Sequence, residues 1–140
     1  MATIPDRDVQ SALNDALYDA FPTSPIAWEN TNYNPTVGTL YLRPWFLPAE
    51  TDVICIGGIP PWQSRQGVFQ VSVFSPIGAG FGAAKSKATE VVAAFQANSS
   101  FVYNGLTVIV RKSWPGPGIQ EDNGWYHVPV SIRYTCYSNE

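Results

Sequence analysis

The chain has 140 residues, a formal net charge of −3 and a pI near 5.0, with no cluster of Lys or Arg. That length suits one domain with a substantial core and leaves no room for two, and the acidic balance excludes a basic stripe for nucleic acid. Charged residues make up 14% of the chain, against roughly 25% in an ordinary soluble domain, while 45% are hydrophobic and 14% aromatic.

Asp6 to Ala20 is predicted as the first helix. Val9, Leu13, Ala16, Leu17 and Ala20 recur at helical spacing, while Asp8, Gln10, Asn14 and Asp15 face elsewhere. Asp6 and Asp8 suit its positive N-terminal end, and Phe21-Pro22 with Pro25 end it. Ile26 to Asn30 reads as a short apolar strand, followed by an Asn- and Pro-containing loop to Gly38. In the next strand, Thr39 to Leu47, Leu40, Leu42 and Phe46 share one face and Tyr41, Arg43 and Trp45 the other. Pro44 cannot donate to a sheet ladder, so that strand is predicted at an edge or a bulge.

Pro48 to Ser64 is a long irregular region with Gly57-Gly58 and Pro60-Pro61-Trp62; loops of this length are usually functional or mobile. Gly67 to Ser75 is a third strand, with Phe69, Val71 and Val73 opposite Gln70 and Ser72. A glycine-rich turn leads into a second helix, whose stripe is Phe81, Ala84, Ala88, Val91, Val92 and Phe95. Phe101 to Tyr103 and Leu106 to Lys112 flank Asn104-Gly105, a strong hairpin signal. Ser113 to Gly124 is a second irregular stretch. Trp125 to Tyr137 closes the chain, with Val128, Val130, Ile132, Tyr134 and Cys136 alternating with polar residues. The order predicts an α+β fold: a mostly antiparallel sheet with two main helices packed on one face.

Gly78-Ala-Gly80-Phe-Gly82-Ala83 matches the G-x-G-x-x-G/A fingerprint of dinucleotide-binding proteins. Such a site also needs a parallel βαβ unit and an acidic residue about 20 positions on. Here Phe101-Val-Tyr103 ends in a hairpin turn instead, so the glycines are expected to shape a strand-to-helix corner. His127 has no serine motif or reactive cysteine context, although Glu121 or Asp122 could fold back toward it; a strand-edge histidine with a backbone partner is expected. Glu50, Asp52, Glu121 and Asp122 read as solvated turn charges. Cys55 and Cys136 are each expected to be a buried free thiol of a cytoplasmic protein. No catalytic, cofactor or metal site is expected. The apolar runs are too short for a membrane-spanning helix, and MATIPDRDVQ lacks a signal-peptide hydrophobic region.

So little charge beside so many aromatics predicts self-association, which would use the apolar surface. Trp62, Trp114 and Trp125 lie in or beside the two long loops, with Arg65, Arg111 and Lys112 nearby. Trp, Tyr and Arg are the types that anchor protein interfaces. Trp62, Gln63, Arg65, Trp114, Arg111 and Lys112 are therefore the candidate interface residues. Trp125 is expected to cap the core instead.

The segments Ile26-Ala27-Trp28-Glu29-Asn30, Tyr41-Leu42-Arg43-Pro44 with Phe46-Leu47-Pro48, and Gly67-Val68-Phe69-Gln70-Val71-Ser72-Val73-Phe74 carry a resemblance. So do Gly78-Ala-Gly80 with its helix, Gly116-Pro117-Gly118 and Trp125-Tyr126-His127-Val128-Pro129-Val130-Ser131-Ile132. In order and spacing, over nearly the whole chain, they resemble the tail terminator, or tail completion, proteins of long-tailed phages and prophages. The resemblance implies an α+β subunit without a catalytic site. It implies a homo-oligomeric ring, usually hexameric, that caps the head-proximal end of the tail tube and stops its polymerisation. The implied partners are further copies of itself, the major tail tube protein and a head completion or connector protein. No membrane and no sequence-specific nucleic acid is among them. The implied location is the virion, after assembly in the host cytoplasm. Another head–tail connector or tail-tube subunit is the alternative, and a small nucleotide-binding enzyme a more distant one.

Overall fold

The computed structural model describes residues 5–36, 38–55, 57–78, 80–121 and 124–138. Their elements run α1 (Pro5–Ala20), β1 (Tyr41–Pro48), β2 (Asp52–Val53), β3 (Gln63–Pro76), α2 (Gly82–Ala94), β4 (Ser100–Tyr103), β5 (Leu106–Pro115), β6 (Ile119–Gln120) and β7 (Trp125–Ser138). The strands make one antiparallel sheet in the order β1-β3-β7-β5-β4, with β2 beside β3 and β6 beside β7.

The centre of the sheet is the pair β3 and β7, in unbroken register from Gln63 opposite Ser138 to Pro76 opposite Trp125. Alternation sends Phe69, Val71 and Val73 of β3 to one face, opposite Ile132, Val130 and Val128 of β7. Both helices cover that face. Helix α1 contributes Val9, Ala12, Leu13 and Leu17, and α2 contributes Ala84, Ala88 and Val91, to the same buried cluster. Each Leu or Val fully buried there contributes roughly 1.5–3 kcal/mol. Phe95, just past α2, packs between Phe69 and Phe101, with ring centroids 6.0 and 5.5 Å away. The expected two-layer α+β arrangement is therefore present.

Gly67 shows why a strand interior can need glycine. A Cβ there would lie 2.5 Å from the Leu47 carbonyl oxygen and 2.8 Å from the Tyr134 hydroxyl. Burial, and secondarily the Asp6 charge, push that phenol above its ordinary range. The Asn104-Gly105 turn has φ of 50° and 83°, as a two-residue type I′ hairpin requires.

Strand β1 is an edge strand, as Pro44 predicted. The Leu42 N–H donates to the Pro25 carbonyl (3.0 Å) and the Phe46 N–H to Glu29 Oε1 (3.0 Å), while Pro44 and Pro48 have no N–H to offer. The outward donors of this edge are thus occupied or missing.

Several expectations are corrected. Asp8 is fully buried rather than facing outward, because the hairpin turn lies over the first turn of α1 and Asn104 Nδ2 donates to Asp8 Oδ2 (3.1 Å). Ala20 and Phe81 lie at helix ends and are exposed. The predicted strand at Ile26–Asn30 is a single parallel bridge from Ile26 to Leu42. Both irregular stretches contain short strands: β2 and β6 prolong the edges begun by β1 and β5, and Ser113 to Pro115 belong to β5. Cys136 is buried, its thiol pushed up by burial, but Cys55 is exposed because its loop projects past the sheet. His127 sits in a central strand, not at an edge.

The glycine corner follows β3 with Gly78 and Gly80 at φ of 94° and 79°; Ala79, like Asp122, lies outside the described residues. Every named strand pair is antiparallel, so the parallel βαβ unit that a dinucleotide cradle needs is absent among the described residues.

Candidate protein interface

The same alternation that fills the core leaves the opposite sheet face without a helix. Arg43, Trp45 and Leu47 of β1 point there, with Gln66, Val68, Gln70 and Ser72 of β3 and Ser131, Arg133, Thr135 and Tyr137 of β7. Trp45 is 43% exposed, and Leu47 and Tyr137 similarly so. Aromatic and Arg side chains among amides and hydroxyls match the composition of interface cores and their rims.

A β-bulge extends this surface. The pairing of β5 with β7 slips between Val110 and Lys112, so Arg111 is the extra residue. Were Arg111 paired in an unbroken ladder, Lys112 would stand opposite Ile132 and point into the core. With the bulge, Lys112 and Trp114 pair with Arg133 and Ser131 on the helix-free face. Trp114 then lies between two cations, with Lys112 Nζ 5.5 Å and Arg133 Cζ 5.7 Å from its ring centroid. Arg111 reaches Tyr137, its Nη2 donating to the phenol oxygen at 2.9 Å.

The six candidate residues therefore fall into two groups. Arg111, Lys112 and Trp114 gather on the helix-free face. Trp62 is half exposed in the β2–β3 loop, while Gln63 and Arg65 follow the core-facing alternation of β3. Arg65 Nε donates to Ser138 Oγ (3.3 Å), its Nη2 donates to Gln63 Oε1 (3.2 Å), and its Nη1 lies 3.5 Å from Asp6 Oδ1. Residue-type reasoning passed over Arg43, Trp45, Arg133 and Tyr137. Their signal was available in the alternation, since each stands opposite core residues on its own strand.

One end of this face is aromatic. Tyr41 stacks on Phe74 (centroids 4.9 Å, 5° between planes) and meets Trp125 edge-on at 5.1 Å, so Trp125 caps buried residues as expected. Burial pushes the Tyr41 phenol up, with Arg43 opposing. Beside it Trp28, Tyr33, Tyr41, Arg43 and Trp45 line a groove of about 400 Å³. A neighbouring hollow of about 280 Å³ shares Arg43 and Trp45 and reaches His127. Glu121 Oε1 lies 2.8 Å from His127 Nδ1, which corrects the expected backbone partner and the reading of Glu121 as a purely solvated charge. That approach is close but not aligned as a hydrogen bond. Ser72 lines the same hollow, yet no hydrogen bond joins it to His127 among the described residues, so the three do not form a relay. Among the described residues no group of three metal-binding side chains occurs, and no helix is long and apolar enough to cross a membrane.

The profile described as phage tail terminator protein matches residues 8–134. A solved protein structure, described without a function, is 32% identical over 96% of this chain and 96% of its own, with a TM-score of 0.76. A chain from the virion of a native gene transfer agent particle shares the fold at 17% identity and a TM-score of 0.61, over 98% of this chain and 100% of its own. No curated protein sequence matches. With the match spanning both helices and the central strands, the chain belongs to the phage tail terminator family and is a structural component of phage tails.

Proposed function

We propose that this protein forms a homo-oligomeric ring, of six subunits, that closes the head-proximal end of a long-tailed phage's tail tube. The ring stops further addition of the major tail tube protein and presents the surface that receives the head completion protein. The observation that carries this reading is the family match across residues 8–134. The virion setting of the gene transfer agent chain, which shares the fold, supports it.

The mechanism is steric. A growing tube ends when the last layer offers a surface that another tube subunit cannot dock on, and that requires a subunit with two dissimilar sides. Such a subunit has an amphipathic sheet face free of helices on one side and a helical layer on the other. In this reading Arg111, Lys112 and Trp114 supply contacts from the helix-free face, and Trp62, Gln63 and Arg65 from the region of the β2–β3 loop. Surfaces built of Trp, Tyr and Arg concentrate binding energy in few residues.

The test is to delete the gene in a phage that carries it and image the lysate by negative-stain electron microscopy. Tails of abnormal length, separate from filled heads, are expected, with rescue by the wild-type gene supplied in trans. Tails of normal length joined to heads would sink the reading.

A further inference from the structure

We propose that the aromatic groove beside β1 receives the β2–β3 loop of a second copy of this chain, so that subunits join tip to groove. This deepens the ring reading and rests on it only for closure of the circle.

The donor is an apolar tip held in water. Ile59 is 102% exposed, and Val53, Ile54 and Trp62 are each at least half exposed around Pro60 and Pro61. Apolar surface of this kind gains roughly 25 cal/mol per Å² when covered. The two prolines restrict the backbone before docking, which lowers the ordering cost of binding.

The acceptor is complementary in residue chemistry and charge. Trp28, Tyr33, Tyr41 and Trp45 give the groove aromatic walls, with polar groups from Asn30 and Thr31 among them, and its volume of about 400 Å³ falls within the roughly 300–1,000 Å³ of specific clefts. Arg43 lines it too, exposed, with its guanidinium 5.7 Å from the Trp45 ring centroid. The charged residues leading into the loop are Glu50 and Asp52, both acidic and exposed. An acidic stem behind an apolar tip fits a basic rim around an aromatic floor.

Geometry excludes self-filling. Strand β3 runs from Gln63, opposite Val53 at the root of the tip, to Phe74, opposite Tyr41 in the groove. At about 3.3 Å per residue that is roughly 35 Å. Donor and acceptor therefore sit at opposite ends of one sheet edge. A contact between two different patches repeats head to tail, and it closes into a ring when the rotation per subunit allows.

Two variants test this by sedimentation. The tip variant Ile59→Ser/Trp62→Ser keeps the groove, and the groove variant Arg43→Glu/Trp45→Ala keeps the tip. Wild-type protein is expected to assemble beyond a dimer, and each variant to self-associate at least roughly 30-fold more weakly, the size of a lost hot spot. Mixed one to one, the variants should stop at a dimer, because each pair retains a single intact junction. Circular dichroism melts check folding, and Arg43→Glu alone, at an exposed side chain, replaces the groove variant if that one unfolds. Wild type that stays monomeric at its highest soluble concentration, a variant that assembles normally, or a mixture that stays monomeric overturns the proposal. Rings that pass but do not bind tube ends would overturn the capping function and leave the junction standing.

Discussion

On one side of β3 and β7, Phe69, Val71, Val73, Val128, Val130 and Ile132 are sealed beneath two helices; on the other, the intervening residues of the same strands meet solvent as Gln66, Gln70, Ser131 and Arg133. The charges divide as well. Helix α1 carries Asp6, Asp8, Asp15 and Asp19 against Arg7 alone, and α2 offsets this only partly with Lys85 and Lys87 against Glu90, whereas Arg43, Lys112 and Arg133 stand on the helix-free face. One strand thus carries two instructions, one residue out of phase. The covered side holds the fold together, and the other is left open to solvent.

Placing a charge on the covered side would break this division most severely. Val110→Lys, at a fully buried position opposite Tyr134, should bury an unpaired cation, a loss above about 4 kcal/mol; urea titration should find little folded protein. Leu13→Ala, which empties a fully buried position under α1, is expected to cost about 2–5 kcal/mol in the same assay. Asn104→Gly preserves the left-handed turn but withdraws a donor from the buried Asp8 carboxylate, and a loss of about 1.5–3 kcal/mol should follow.

Alkaline pH probes the covered side more gently. The Tyr134 phenol is raised above its ordinary value of 10.0 and the Cys136 thiol above 9.0, both mainly by burial. Beyond those values the unfolded chain has released protons that the folded chain still holds. Their contribution to stability should therefore be level below pH 9 and fall as the pH rises past it. Tyr134→Phe should lessen the decline above pH 10, leaving the parts due to Cys136 and to the buried Tyr41 phenol. Smallest of all, Trp45→Ala on the helix-free face should change the unfolding free energy by less than about 1 kcal/mol. A larger loss there would mean that this face also supports the fold.

The long alternating strands and the Asn104-Gly105 turn were legible because period and turn chemistry are local. The core positions of β3 and β7 follow from that alternation alone. Asp8 misled because a carboxylate at a helix start is ordinarily solvated, and only the tertiary approach of Asn104 covers it. The surface around Trp114 was half legible. Residue type singled out Trp114, Arg111 and Lys112, but the bulge that turns them toward Arg133 depends on register with a strand some twenty residues later. Alternation alone set Trp45 and Arg43 on the outer face, but their significance lies in the groove formed with Trp28 and Tyr33, which are brought together by the Ile26–Leu42 bridge.

The hydrogen bond from the Phe46 N–H to Glu29 bears on what happens when many copies accumulate in one cell. Unpaired strand edges template sheet-to-sheet stacking, the route to fibrous aggregates. Along β1 two prolines, the Pro25 carbonyl and one carboxylate leave an incoming strand no outward N–H at Leu42, Pro44, Phe46 or Pro48. Glu29 acts there as a gatekeeper: a side chain that spends its charge on keeping neighbours in solution from fusing their sheets.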